Sequence, residues 1–156
     1  MTHSQKAAFI ATFTVFTVVI FDRISKVFFS HILSLGESIP VIRNIFHVTL
    51  VHNTGIAFGF FKSYGILFVF ISLAAIVLFI FYLYRNRHYG QLRLIETFAF
   101  SLIVSGAIGN LIDRLSFGYV VDFIDFRFWP VFNVADSAIT IGTIIVLIKC
   151  IPFFSK

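Results

Sequence analysis

Charge is scarce in this chain: of 156 residues only 12% are charged, while 59% are hydrophobic. A soluble domain of that size needs a far more polar surface, so a water-exposed globule is excluded. Cysteine is nearly absent, and with Cys150 alone there is neither an intrachain disulfide nor a thiolate metal cluster. His3, His31, His47, His52 and His88 are scattered without a ligand spacing such as HExxH, so no metal or cofactor is expected. Internal repeats, low-complexity tracts and flexible linkers are missing too, which leaves one membrane-embedded unit over residues 1–156. The first apolar run, residues 7–21, has no small-residue cleavage site after it and is read as a retained span.

What the chain does have is phenylalanine, 23 copies of it, in long apolar runs. A helix needs about 20 apolar residues to cross the hydrocarbon core. Four stretches qualify, at about residues 7–29, 64–84, 92–112 and 132–153, and the second contains no charge. The expected fold class is therefore an integral membrane protein, mainly α, with four transmembrane helices. Between the first two spans, residues 31–63 include IPVIRNIFHVTLV, rich in Val and Ile, with turn residues at Gly36, Pro40 and Asn44. The shorter connection after the third span carries VVDFIDFRFWP, also β-like and ended by Pro130.

Four spans put both termini and the second connection on one side. That side holds Lys6, Arg85, Arg87, Arg93, Lys149 and Lys156 against Glu96 alone. On the other side Arg23, Lys26, Arg43, Lys62, Arg114 and Arg127 are balanced by Glu37 and all five aspartates. The excess of basic residues predicts cytoplasmic termini and an outer cluster of aspartates. It also gives the net charge of +5 a topological cause, so no nucleic-acid partner is expected.

Ionised groups in or beside a span are expensive, so each cluster needs a partner or a task. Asp22 and Lys26 stand four apart on one helix face, acid first, which suits an ion pair that sets helix depth or supports a site. Asn53 and Gly55 lie in His-Asn-Thr-Gly, which is either an ordinary turn or a place where backbone approaches a ligand. Gly106, Gly109, Asn110 and Asp113 form one stripe along the third span, with Arg114 beside it. Helix packing explains the glycines. Asp113 and Arg114 are read as an ordering pair.

Asp122, among apolar neighbours, and Asp136, in the first turn of the fourth span, carry the most chemistry. Asn133 is a candidate N-cap there, and Asn133, Asp136 and Thr140 make a polar stripe that is expected to face inward. If Asp122 folds back onto Asp136, the two carboxyls share one proton. The ionised member then activates water while the protonated member binds a scissile carbonyl. Proton or ion translocation by the same residues, and a structural role, remain open on spacing alone.

The segments DRISK, NTGIAF, GAIGNLIDR, VVDFI and FNVADSAITIG, in this order over nearly the whole chain, resemble the lipoprotein signal peptidases (type II signal peptidases) of bacteria. That resemblance implies an aspartyl dyad of Asp122 and Asp136. It implies site-shaping roles for Asp22, Lys26, Asn53, Gly55, Gly106, Gly109, Asn110, Asp113, Arg114, Asn133 and Ala135. The implied substrate is a prolipoprotein whose signal-peptide cysteine bears diacylglycerol, cleaved just before that cysteine. Membrane lipids and the inhibitor globomycin are implied ligands, a surface β cradle is implied for residues 31–63, and no obligate protein partner is implied. The implied location is the bacterial cytoplasmic (inner) membrane, with the site near its outer face. One departure stands out: Arg23 and Ser25 occupy positions where the family usually has Gln and Thr.

Overall fold

The computed structural model describes residues 1–55, 65–88 and 93–150. Residues 56–58 of the NTGIAF segment, Lys62, Lys156 and the expected span ends at Tyr64, Leu92 and Phe153 lie outside the described residues.

Four helices and a small sheet alternate along the chain. Helix α1, His3–Ile32, opens on a capping box in which the Thr2 hydroxyl accepts from the Gln5 amide and the Gln5 side chain accepts from the Thr2 amide. At 1.5 Å per residue it is about 45 Å long, more than the ~30 Å hydrocarbon core. Its buried residues, Ala7, Ala11, Thr14, Asp22 and Lys26, make one narrow stripe. The small members let α1 lie close to its neighbours, and the charged members sit together near its C-terminal end.

Helices α2, Gly65–His88, and α3, Leu94–Phe117, follow, and α4 covers Val134–Cys150. Among the described residues three helices, α1 to α3, are long and apolar enough to cross a membrane. The described part of α4 has 17 residues. Helix α3 is the central pillar: 61% of its most apolar stretch is buried, against 22% for α1 and 11% for α2. Around it, Ala11, Phe79 and Val104 form an apolar core joining α1, α2 and α3. The outer faces of α1 and α2 expose Phe16, Phe70, Val77 and Leu78, as lipid-facing surfaces do.

Strands β1, Ser38–Ile42, β2, Phe46–Asn53, and β3, Val120–Asp125, form an antiparallel sheet in the order β1-β2-β3. Ile39 pairs with Val48, and His52 with Val121. Pro40, expected in a turn, lies inside β1 instead. An edge strand tolerates it, since one side of the strand donates no ladder bonds. Gly118 ends α3 with φ +77, a left-handed cap that turns the chain directly into β3. Leu33, Leu50 and Val121 pin the sheet to the end of α1, and the Phe29 and Phe123 rings meet at 4.5 Å. The sheet therefore caps one end of the bundle, and its innermost strand carries Asp122.

Candidate active site

Close helix approach comes first. A Cβ on Gly106 would stand 2.2 Å from the Ala135 carbonyl oxygen, and one on Gly109 would stand 2.7 Å from Asp22 Oδ2. Neither position has room for a methyl group, so α3 lies on the α4 backbone at Gly106 and takes the Asp22 carboxylate of α1 directly against its own backbone at Gly109. Gly142 performs the same service further along α4, 2.5 Å from the Ala99 carbonyl in the same sense. Sequence reasoning passed over Gly142, although it lies two turns beyond Ala135 on the same face.

Inside that contact lies an ionic cluster. Lys26 is 2% exposed, and its Nζ sits 2.8 Å from both Asp22 Oδ2 and Asp113 Oδ2. It also donates to Asn110 Oδ1 at 3.1 Å. The contact with Asp22 is ionic rather than a directed hydrogen bond, because Oδ2 has no hydrogen-bond partner among the described residues. Asp22 Oδ1 accepts from the Ala135 amide at 3.0 Å, tying α1 to the first turn of α4. Asp113 takes Arg23 on Oδ1 and the Val121 amide on Oδ2, at 3.2 Å. Lys26 is thus held by two carboxylates and one amide oxygen.

The expected Asp113–Arg114 pairing does not form. Successive helix residues point about 100° apart. Asp113 therefore faces α1, while Arg114 lies over the Phe68 ring at 5.0 Å.

Asn110 and Asn133 carry the network on. Asn110 Nδ2 donates to Asp136 Oδ1 at 2.7 Å. Asn133 caps α4 as expected: its Oδ1 accepts from the Asp136 amide at 2.9 Å, and its own amide faces Asp136 Oδ2 at 3.3 Å. Asn133 Nδ2 lies 2.7 Å from Asp122 Oδ1, 3.1 Å from Asn110 Oδ1 and 3.3 Å from the Val121 carbonyl. Both carboxyls thus bond to one fully buried asparagine. Thr140, expected to continue the inward stripe, is exposed and donates back to the Asp136 carbonyl.

The second oxygen of Asp122 accepts from Asn53 Nδ2 at 2.9 Å. Asn53 is itself oriented by the Gly55 amide, which donates to its Oδ1 at 3.0 Å. The Asn-Thr-Gly turn therefore aims an amide at Asp122. Burial, and next the charge of Asp136, push the Asp122 carboxyl up to about 7, against the opposing hydrogen bonds from Asn53 and Asn133. Beside the pair opens a cavity of about 380 Å³ lined by Asn53, Asn110, Arg114 and Asp136, with apolar walls that include Phe68 and Trp129. Its size and lining suit a segment of an organic ligand with one polar centre.

The profile of the family described as signal peptidase (SPase) II matches residues 14–152. The chain belongs to the signal peptidase II family. It is 42% identical to the lipoprotein signal peptidase of Halothermothrix orenii over 86% of this chain and 90% of that one. Against the lipoprotein signal peptidase of Moorella thermoacetica it is 46% identical, over 82% and 83% of the two chains. A bacterial membrane enzyme solved by the in meso method at 2.3 Å superposes with a TM-score of 0.82 at 33% identity, covering 89% of this chain and 85% of that one. A second such structure, at 1.9 Å, gives 0.80 at 33% identity, over 91% and 92%. The chain is a membrane peptidase of this family with a small sheet on a helical bundle.

Proposed function

We propose that this family member is an aspartyl endopeptidase that removes the signal peptide from diacylglyceryl-modified prolipoproteins, cutting just before the lipidated cysteine. The observation that carries this reading is the pair of bonds from Asn133 to Asp122 and Asp136. Around it are four carboxyls, Asp22, Asp113, Asp122 and Asp136, and three cations, Arg23, Lys26 and Arg114. One proton held by the carboxyls brings the cluster to neutrality, and Asp122, with its pKa near 7, is the group that keeps it.

In the proposed reaction the Asp136 carboxylate takes a proton from water as the water oxygen bonds to the scissile carbonyl carbon. Protonated Asp122 donates to the carbonyl oxygen, giving a tetrahedral diol. Asp136 then passes its proton to the departing amide nitrogen as the C–N bond breaks. A diol proton returns to Asp122 as the new carboxyl forms. Neither a metal nor a covalent intermediate is required. Asn53, Asn110 and Asn133 hold the carboxyls in register, while Asp22, Lys26 and Asp113 hold the helices that present them. Gly106, Gly109 and Ala135 permit the close approaches, Gly55 orients Asn53 through its amide, and Arg114 lines the cavity.

The reading extends to placement. Residues 1–156 form one peptidase domain with four spans, α4 being the fourth, in the bacterial cytoplasmic membrane. Both termini face the cytoplasm, as the basic residues require, and the sheet end faces outward. Acyl chains of the lipidated cysteine would hold the scissile bond at that depth and supply binding energy independent of the remaining peptide sequence. Globomycin is expected to inhibit. The test is cleavage of a lipidated precursor by membranes carrying Asp122→Asn or Asp136→Asn. Each variant is expected to insert normally and to lose at least about 10³-fold in rate. Wild-type cleavage by either would overturn the proposal.

A further inference from the structure

A second cavity, of about 410 Å³, opens on the α1 side of the sheet end and shares no lining residue with the first. Arg23, Lys26, His31, His52 and Asp113 are its charged and imidazole groups, over an apolar floor that includes Leu50. From this geometry we infer that it binds the phosphate of a membrane phospholipid, with the acyl chains lying along the exposed face of α1.

Arg23 supplies the first argument. Its terminal nitrogen is committed to Asp113, yet its Nε is buried and has no hydrogen-bond partner among the described residues. A guanidinium N–H without an acceptor in a buried place is costly, and a phosphate oxygen is the acceptor that its planar fork fits. The carboxylates near Arg23 are already paired with cations: Asp22 Oδ2, 3.6 Å from the same Arg23 nitrogen, lies 2.8 Å from Lys26 Nζ. Asp113, the acid on the cavity wall, already holds Arg23 on one oxygen and Lys26 with the Val121 amide on the other. Two imidazoles add donors, and His52 is held flat on the Tyr119 ring with centroids 3.9 Å apart.

The surroundings select a lipid over a free ion. Val27 lines the cavity and is 54% exposed, and it continues into Ile24 and Phe28, 64% and 54% exposed, on a helix built to face hydrocarbon. A headgroup phosphate in the cavity would leave its glycerol and chains against that face.

Native mass spectrometry of the detergent-purified full chain tests this, titrating phosphatidylglycerol, a diacylglycerol with the same chains, and inorganic phosphate. Phosphatidylglycerol is expected to form a one-to-one adduct about tenfold tighter than diacylglycerol does, with phosphate failing to displace it. Ser30→Phe fills the cavity from an exposed position without touching the ion pairs, and Arg23→Lys keeps the charge for Asp113 but removes Nε. Each is expected to weaken the adduct about tenfold while melting at the wild-type temperature. An adduct unchanged in both variants, or equally tight diacylglycerol binding, would overturn the inference. Displacement by inorganic phosphate at equal affinity would overturn the lipid assignment.

Discussion

Asn133 and Asp122 are joined across the turn between β3 and α4 by a 2.7 Å bond from Nδ2 to Oδ1. The same side chain caps the helix that carries Asp136, and the Asn133 backbone amide faces the Asp136 carboxyl, so one residue holds both acids. Asn133→Ala should release Asp122 while leaving both acids present. Turnover of a lipidated precursor is expected to fall about 10²-fold, the scale of an ångström-level misplacement. Steady-state kinetics in micelles measure it, and an unchanged kcat would remove Asn133 from the account.

Lys26 is the buried cation on which two carboxylates depend. Removing one partner of such a cluster leaves uncompensated charge, a loss of about 3–5 kcal/mol. Lys26→Met should therefore lower the melting temperature sharply in detergent. A variant that melts with the wild type would mean that water reaches Asp22 and Asp113.

The two glycines of α3 should fail differently. At Gly106 a methyl group meets the backbone carbonyl of Ala135, which cannot rotate away. Gly106→Ala is expected to destabilise by about 1–3 kcal/mol through helix separation. At Gly109 the methyl meets the Asp22 carboxylate, so Gly109→Ala strikes the ionic cluster itself. Thermal unfolding and turnover measured together separate the two, with Gly109→Ala expected to lose more activity per degree of melting temperature.

Much of this arrangement is legible in the sequence because buried charge in an apolar chain is informative. Asp22 with Lys26, the Gly106-to-Asp113 stripe and the Asn133 cap all follow from helix periodicity, and the structure brings their side chains together. Partnerships between elements are not legible in that way. Arg23 reads only as one of the outer charges, because the packing of α1 against α3 that brings it to Asp113 leaves no mark in the local sequence. Arg114 reads as the partner of Asp113 because the two are adjacent, yet adjacency on a helix sends side chains to different neighbours. Thr140 fits the inward stripe by spacing, but its side chain is exposed and its hydroxyl is satisfied by the Asp136 carbonyl one turn back. Pro40 resembles a turn residue because an edge strand and a turn tolerate proline alike.

The Asp122 carboxyl lies near 7 against an ordinary value of 3.8, so the fold holds its proton more tightly than the unfolded chain does. Stability should therefore fall as pH rises through that window, since the ionised form is the one that burial penalises. Activity follows the same group. Cleavage that needs protonated Asp122 should decline about tenfold per pH unit above its pKa. A pH–rate profile on a lipidated precursor checks this, and a rate still rising well above pH 7 would give the proton to another group.

The central claim is that Asp122 and Asp136 act on one another's protonation. Infrared titration of the protonated carboxyl stretch, assigned by its loss in Asp122→Asn, measures that coupling in the folded protein. The midpoint is expected near 7 in the wild type and should move downward in Asp136→Asn, where the neighbouring charge is gone. A midpoint that Asp136→Asn leaves in place would contradict the shared-proton account.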